Sequence, residues 1–113
     1  MKKIYLSIPY SGIEEKSFKI VNEVAADLMK QGHIVYSPIS MGHAIVQEND
    51  LPNTREFWEE SEKEFISWCD TLMAVVLDEN GHDLIINSKG CQSEIKMAND
   101  MNKNVNYYYY EKI

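Results

Sequence analysis

Cysteine is scarce in this chain: Cys69 and Cys91 are the only two. They form no CxxC pair, they sit among apolar or small neighbours, and no charged-then-apolar leader opens the sequence. Reduced thiols in a cytoplasm are therefore expected, rather than a disulfide-stapled secreted scaffold. Long apolar runs are missing as well. The longest are far too short to cross a bilayer, so no membrane association is expected. Basic charge is the third shortage. Eleven Lys and Arg stand against 18 Asp and Glu, a formal net charge of −7, with no Lys/Arg stripe and no basic tail. Such a surface cannot neutralise a row of phosphates, which argues against polymeric nucleic acid as a partner. It leaves mononucleotides open, because backbone N–H groups at a helix start hold a single phosphate without any cationic side chain. Internal repeats and low-complexity linkers are also absent.

What is present is the composition of one ordinary globular domain. The 113 residues are 44% apolar and 26% charged, enough to bury a core without covalent staples, so a single domain over 1–113 is expected. Residues 3–8, KIYLSI, read as a buried strand that stops at Pro9 and the Ser11-Gly12 turn. Phe18, Val21, Ala25, Leu28 and Met29 recur at helical spacing from about Ile13 to Gln31, and Gly32 stands where a helix wants a left-handed final residue. His33 to Tyr36 supplies a second strand. Residues 37–53 hold two of the three prolines and no sustained period, which reads as a long loop over one end of the sheet. A second helix from about Thr54 carries Trp58, Phe65, Ile66 and Cys69 on its inward side and is stopped by Asp70, whose short carboxylate suits the capping of nearby backbone donors. The run LMAVVL at 72–77 reads as a strand buried on both faces. After the polar segment 78–90, a helix from Cys91 to Asn102 and a strand from Val105 to Tyr110 complete the chain. The tyrosines at 107–110 read as alternating inward and outward along that strand.

Strands alternating with helices in this order predict an α/β three-layer sandwich with a mostly parallel sheet, flavodoxin- or Rossmann-like, with right-handed crossovers. Ligands in such folds lie beyond the carboxyl ends of the strands. That expectation gathers 7–12, 37–43 and 78–94 at one edge. Ser11-Gly12 and Ser88-Lys89-Gly90 each lie just before a helix, so each is either a cradle for phosphate or sugar or simply a turn and cap. Glu94, early in the third helix, is either a reactive carboxylate or an acidic residue favoured by the helix dipole. Tyr5 fits a core aromatic as well as a site hydroxyl. Glu62 sits on a helix rich in Glu59, Glu60 and Glu64, where solvated charge is the plain alternative. His33, His43 and His82 show no ligand spacing with one another or with Cys69, so neither a metal nor a cofactor is expected. His82, with Gly81 and Asp83, falls in a stretch that reads as a lid or a loop tip.

Taken in order, KIYLSIPYSG, YSPIS with the following His43, the FW-bearing helix ending at Cys69-Asp70, and SKGCQSEI at 88–95 resemble the nucleoside 2-deoxyribosyltransferase superfamily over residues 3 to about 108. The likeness is nearest to compact members with the SPIS and FW signatures, and more distant to the transferases and the deoxynucleoside 5′-monophosphate N-glycosidases. It implies a glutamate nucleophile, and the spacing of Ser88, Gly90 and Glu94 carries that role to Glu94. It further implies that Tyr5 orients the nucleophile. Glu62 stands where the hydrolases carry an aspartate near the leaving base, a longer arm than the pattern provides. Ser7, Ile8, Ser11, Gly12, Ser88 and Gly90 are implied as holders of sugar and phosphate, with His43 as a contact for base or phosphate. The implied partner is a small-molecule nucleotide or nucleoside, and the implied assembly a homo-oligomer. No extended carboxyl tail of the kind transferases lend to a neighbouring subunit follows the last strand, so hydrolysis is expected over transfer. A non-catalytic protein that senses or sequesters a nucleotide-derived small molecule is the competing expectation, and a domain serving only protein interaction is the third.

Overall fold

The computed structural model describes residues 1–52, 54–77 and 82–110. Strand β1 (Lys3–Ser7) is flanked by β2 (Ile34–Tyr36) and β3 (Thr71–Val76), and β4 (Asn104–Tyr109) lies outside β3. The four-stranded sheet has the order β2-β1-β3-β4, and every pairing is parallel. Helices α1 (Glu14–Lys30) and α2 (Pro38–Glu48) lie on one side, while α3 (Arg55–Trp68), α4 (Asp83–Ile86) and α5 (Lys89–Asp100) lie on the other. This is the three-layer α/β sandwich that the alternation of elements predicts.

The pleat of β1 decides what each layer receives. Successive side chains of a strand point to opposite faces, so Ile4, Leu6 and Ile8 go to the α1 side, where they meet Ile20, Val21, Val24, Ala25 and Leu28. Tyr5 goes to the other side with Leu72, Ala74 and Val76 of β3, Ile66 of α3, and Cys91 and Ala98 of α5. Both faces are covered, so the strand is buried from Ile4 onward; what alternates is which of two cores a side chain joins. Ser7 shares the parity of Tyr5 and is fully buried on the α5 side.

Ends of elements follow local chemistry. Gly32 has φ +94° beyond α1, and the His33 N–H reaches back to the Leu28 carbonyl, the closure a left-handed residue permits. Thr54 and Ser88 cap α3 and α5 by accepting the N–H groups of Phe57 and Cys91. Asp70 plays the capping part expected of it: its carboxylate accepts the Lys3 N–H at 2.9 Å, while its own N–H donates to the Lys3 carbonyl. The strand tyrosines alternate as expected. The hydroxyls of Tyr108 and Tyr110 donate to Asp27 and Glu23 of α1, whereas Tyr107 and Tyr109 pack against His82 on the opposite side.

Three expectations are corrected. Residues 37–53 are not a loop for most of their length: Pro38 opens α2 at its first turn, where a missing N–H is harmless and the fixed φ suits a helix. Its periodicity is hidden because Ile39 and His43 face α1 while Met41, Ile45 and Val46 remain exposed. The polar segment before α5 contains the short helix α4, whose Ile85 is buried; positions 78–81, with Gly81 of the expected lid, lie outside the described residues. Phe65 is not inward on α3 but exposed, its ring stacked on Tyr36 with centroids 3.8 Å apart. Ile66 and Cys69 are buried as expected.

One buried group tests the core directly. Thr71 is fully buried and its hydroxyl has no hydrogen-bond partner among the described residues. Replacing an unsatisfied hydroxyl by a methyl of the same shape removes a desolvation penalty of about 1–3 kcal/mol. Thr71→Val is therefore expected to raise the thermal midpoint; a lowered midpoint by calorimetry would show that the hydroxyl is satisfied in solution.

Candidate active site

Helix α5 buries Cys91, Glu94 and Ala98, a stripe at i, i+3 and i+7. Two of its members are ordinary core residues and the third is a carboxylic acid. Glu94 keeps only 8% of its surface exposed, and carboxylates are almost never buried to that degree unless paired. Its partners come from β1. The Tyr5 hydroxyl donates to one carboxylate oxygen, and the Ser7 hydroxyl donates to the other at 2.8 Å. Because Tyr5 and Ser7 are two residues apart on one strand, the pleat delivers both donors to the same side.

A second carboxylate completes the group. Glu62 of α3 lies near enough to Glu94 for its charge to act on that carboxyl, with 11% of its side chain exposed. Arg55, at the start of the same helix, holds Glu62 through both guanidinium ends, at 2.9 and 3.4 Å, and donates to the Ser93 hydroxyl of α5 at 2.8 Å. Two polar groups thus face each other, Ser93–Arg55–Glu62 and Tyr5–Glu94–Ser7. Tyr36, at the carboxyl end of β2, borders it, with its ring 5.7 Å from that of Tyr5.

Burial and charge set the protonation states. Removal from water pushes the Glu94 carboxyl well above the ordinary carboxylate range, and the neighbouring Glu62 charge adds to this; the Tyr5 and Ser7 hydrogen bonds act in the opposite sense. Two carboxyl groups close together in a buried place are costly to ionise at once. Burial, then the nearby Glu94, pushes the Tyr5 hydroxyl up too, so it stays a donor at any physiological pH. Tyr36 is raised by burial and by both glutamates. The Cys91 thiol, pushed up to about 11 chiefly by burial, is protonated and unreactive at neutral pH.

The structure therefore gathers Tyr5, Ser7 and Glu62 around Glu94. Ser88 and Gly90 lie in the turn that starts α5, and a side chain added at Gly90 would come 3.8 Å from the Arg55 guanidinium. Other expected residues fall elsewhere. Ile8 turns its side chain into the α1 core. Ser11 and Gly12 are exposed at the end of β1; Gly12 takes φ +88°, and its N–H, expected to be open, is engaged by the Glu14 carboxylate at 2.7 Å. His43 belongs to α2, not to a loop. It is stacked on Phe18 and bonded to Tyr10 at 2.5 Å and Glu15 at 3.0 Å, with no hydrogen bond to the glutamate pair. Among the described residues no cluster of His, Cys, Asp and Glu could hold a metal ion, and no helix is long and apolar enough to cross a membrane.

Arg55, Ser93 and Tyr36 were not foreseen. Arg55 is the sole arginine of the chain, and that singularity beside an acidic helix was the available signal. Ser93 and Tyr36 look like ordinary helix and strand residues.

Known structures share this architecture. A 2-deoxyribosyltransferase from Bacillus psychrosaccharolyticus, described as a biocatalyst for the synthesis of nucleosides, superposes with a TM-score of 0.62 at 25% identity, covering 98% of this chain and 76% of that one. A CMP N-glycosidase from Clostridium botulinum, BcmB, superposes with a TM-score of 0.61 at 18% identity, covering 98% of this chain and 91% of that one. No curated protein sequence matches the chain significantly. The fold is that of the nucleoside 2-deoxyribosyltransferase-like superfamily. Residues 2–110 match the family described as a domain of unknown function, DUF1937, and the chain belongs to that family.

Proposed function

We propose that this protein cleaves the N-glycosidic bond of a nucleoside or nucleoside monophosphate, with Glu94 as nucleophile. The observation that carries the reading is the buried Glu94 carboxylate, held by Tyr5 and Ser7 with Glu62 against it, in a fold shared with a 2-deoxyribosyltransferase and a CMP N-glycosidase. An anomeric carbon that develops oxocarbenium character needs a carboxylate fixed beside it, and a departing base needs a proton. The glutamate pair supplies both from one shared proton. Transfer of that proton from Glu94 to Glu62 leaves an ionised nucleophile and a neutral acid.

Attack by the Glu94 oxygen then forms a glycosyl ester as the carbon–nitrogen bond breaks, its electron pair leaving with the base and the Glu62 proton following. Water, deprotonated by Glu62, hydrolyses the ester, frees the Glu94 carboxylate and gives the free sugar. A second base in place of water would make the reaction a transfer. Tyr5 and Ser7 fix the carboxylate oxygens throughout. Ser88, Gly90, Ser11 and Gly12 are assigned to the sugar and phosphate side, a phosphate oxygen replacing Glu14 on the Gly12 N–H. His43 has no step in this scheme.

A homo-oligomer belongs to the same reading, supported by the exposed Met41, Ile45 and Val46 of α2, which a second copy would cover; so does a cytoplasmic setting, supported by two free cysteines. The test is incubation with a panel of ribo- and deoxyribonucleosides and their monophosphates, following free base by chromatography. Base release is expected; recovery of intact nucleotide in stoichiometric amount with no base released would establish a binding protein instead. Tyr5→Phe removes one donor to the nucleophile, a hydrogen bond to a charged group of about 1.5–3 kcal/mol, or about 10- to 100-fold in rate. The loss is expected in kcat with KM little changed, since the hydroxyl is assigned to Glu94 and not to the substrate.

A further inference from the structure

We propose that Arg55 is a positioning residue. By clamping Glu62 as a carboxylate and tying it to α5 through Ser93, it keeps the negative charge on Glu62 and leaves the proton of the glutamate pair on Glu94. The geometry is one-sided. Glu62 receives two guanidinium contacts, at 2.9 and 3.4 Å, a fork that matches the two acceptor oxygens of an ionised carboxylate and is weaker against a protonated one. Glu94 receives only neutral hydroxyl donors, from Tyr5 and Ser7. The groups facing Glu94 from the packed elements are Tyr5 of β1, Tyr36 of β2, Glu62 of α3 and Cys91 of α5. Among these described groups none is cationic, and the positive charge of Arg55 acts on Glu62 directly and on Glu94 through it.

The anchor to Ser93 gives the clamp its direction. Ser93 immediately precedes Glu94, so the guanidinium is fixed to the helix that carries the nucleophile and spans the gap between α3 and α5. At 40% side-chain exposure Arg55 faces solvent on its other side, so its hold on Glu62 is reversible. The resting protein accordingly has its proton on the attacking group and its charge on the acid, the reverse of what the first chemical step requires. Loosening of the clamp is what lets the proton cross to Glu62.

This inference rests on the assignment of Glu94 as nucleophile for its meaning, but its test needs no substrate. With the side-chain carboxyl carbons of glutamate labelled with ¹³C, and Glu62→Gln and Glu94→Gln used to assign the two resonances, the parent at neutral pH is expected to show Glu94 at the protonated position and Glu62 at the ionised one. In Arg55→Gln the Glu94 resonance is expected to move downfield toward the ionised position as Glu62 moves upfield. Arg55→Lys, which keeps the charge but not the fork, is expected to fall between them and carries the test should the glutamine variant fail to fold. A Glu94 resonance unchanged in the variants that fold, or a parent in which Glu62 already carries the proton, overturns the proposal. Failure of base release with the expected resonances would instead count against the glycosidic reading alone.

Discussion

Glu94→Gln is expected to abolish base release, with a loss on the order of 10⁴-fold or more in kcat, because a carboxamide cannot form the glycosyl ester and the residual rate must come from positioning alone. The same variant is expected to be more stable than the parent above the ordinary carboxylate range. Glu94 in the folded protein titrates higher than in the unfolded chain, mainly because it is buried and secondarily because Glu62 lies beside it. A raised value means that folding takes up a proton. The stabilising contribution is full below the unfolded value, near pH 4–5, and is lost as pH rises through the folded one. Each unit of elevation corresponds to about 1.4 kcal/mol, so parent and variant should match in slope at acid pH and diverge as the solution becomes neutral and then alkaline.

Lost activity with gained stability is the signature of a residue kept for chemistry at a cost to the fold. An equally active Glu94→Gln would remove this residue from the mechanism. In the parent, a 2-fluoro-substituted nucleoside substrate that slows hydrolysis of the ester is expected to leave the mass of one sugar on the peptide containing Glu94. Labelling of any other peptide would move the nucleophile.

How far such a site can be read from sequence depends on the range of the contacts that build it. Glu94 was reached through the spacing of Ser88, Gly90 and Glu94 within the resemblance to the nucleoside 2-deoxyribosyltransferase superfamily; read locally it fitted a first-turn acid equally well, and its place on the buried stripe of Cys91, Glu94 and Ala98 emerges only with the fold. Tyr5 was reached the same way, whereas Ser7 was expected to hold sugar or phosphate, and its bond to Glu94 follows from its parity with Tyr5 on β1. The role of Arg55 is different in kind: it depends on α3 leaning against α5 so that a guanidinium reaches Ser93, and no local period encodes the approach of two helices.

The Gly12 turn had the expected backbone shape but not the expected vacancy, since Glu14, two residues on, folds back to its N–H. His43 was drawn away from the glutamates by Tyr10, Glu15 and Phe18. Its helix was obscured because Pro38 reads equally as a loop breaker and as a first helical residue. In each case the local preference was correct and a nearby side chain or an unread helix start decided the outcome.

Glu62→Gln separates the two things its carboxylate is assigned. As an acid it must hand a proton to the departing base, and general acids of this kind contribute about 10²- to 10⁴-fold; a carboxamide cannot transfer that proton, so kcat should fall by such a factor. As a charge it holds Glu94 in the neutral form, and its removal takes away the repulsion that raises Glu94. Arg55, freed of its partner, adds a positive charge to the neighbourhood. Glu94 should then ionise at lower pH; with a substrate whose base leaves without a proton, so that only ionisation of Glu94 is required, the acid limb of kcat/KM, which reports the free protein, should shift downward.

The two effects have opposite consequences at low pH, which makes the pair diagnostic. A nucleotide whose base already carries a positive charge, such as an N7-methylated purine, leaves without protonation and should recover most of the lost rate in Glu62→Gln while keeping the shifted limb. A shifted limb with no loss for ordinary substrates would leave Glu62 as a charge that tunes Glu94. A loss with an unmoved limb would mean that the two carboxylates do not meet in solution, and the shared proton on which the scheme turns would have no path between them.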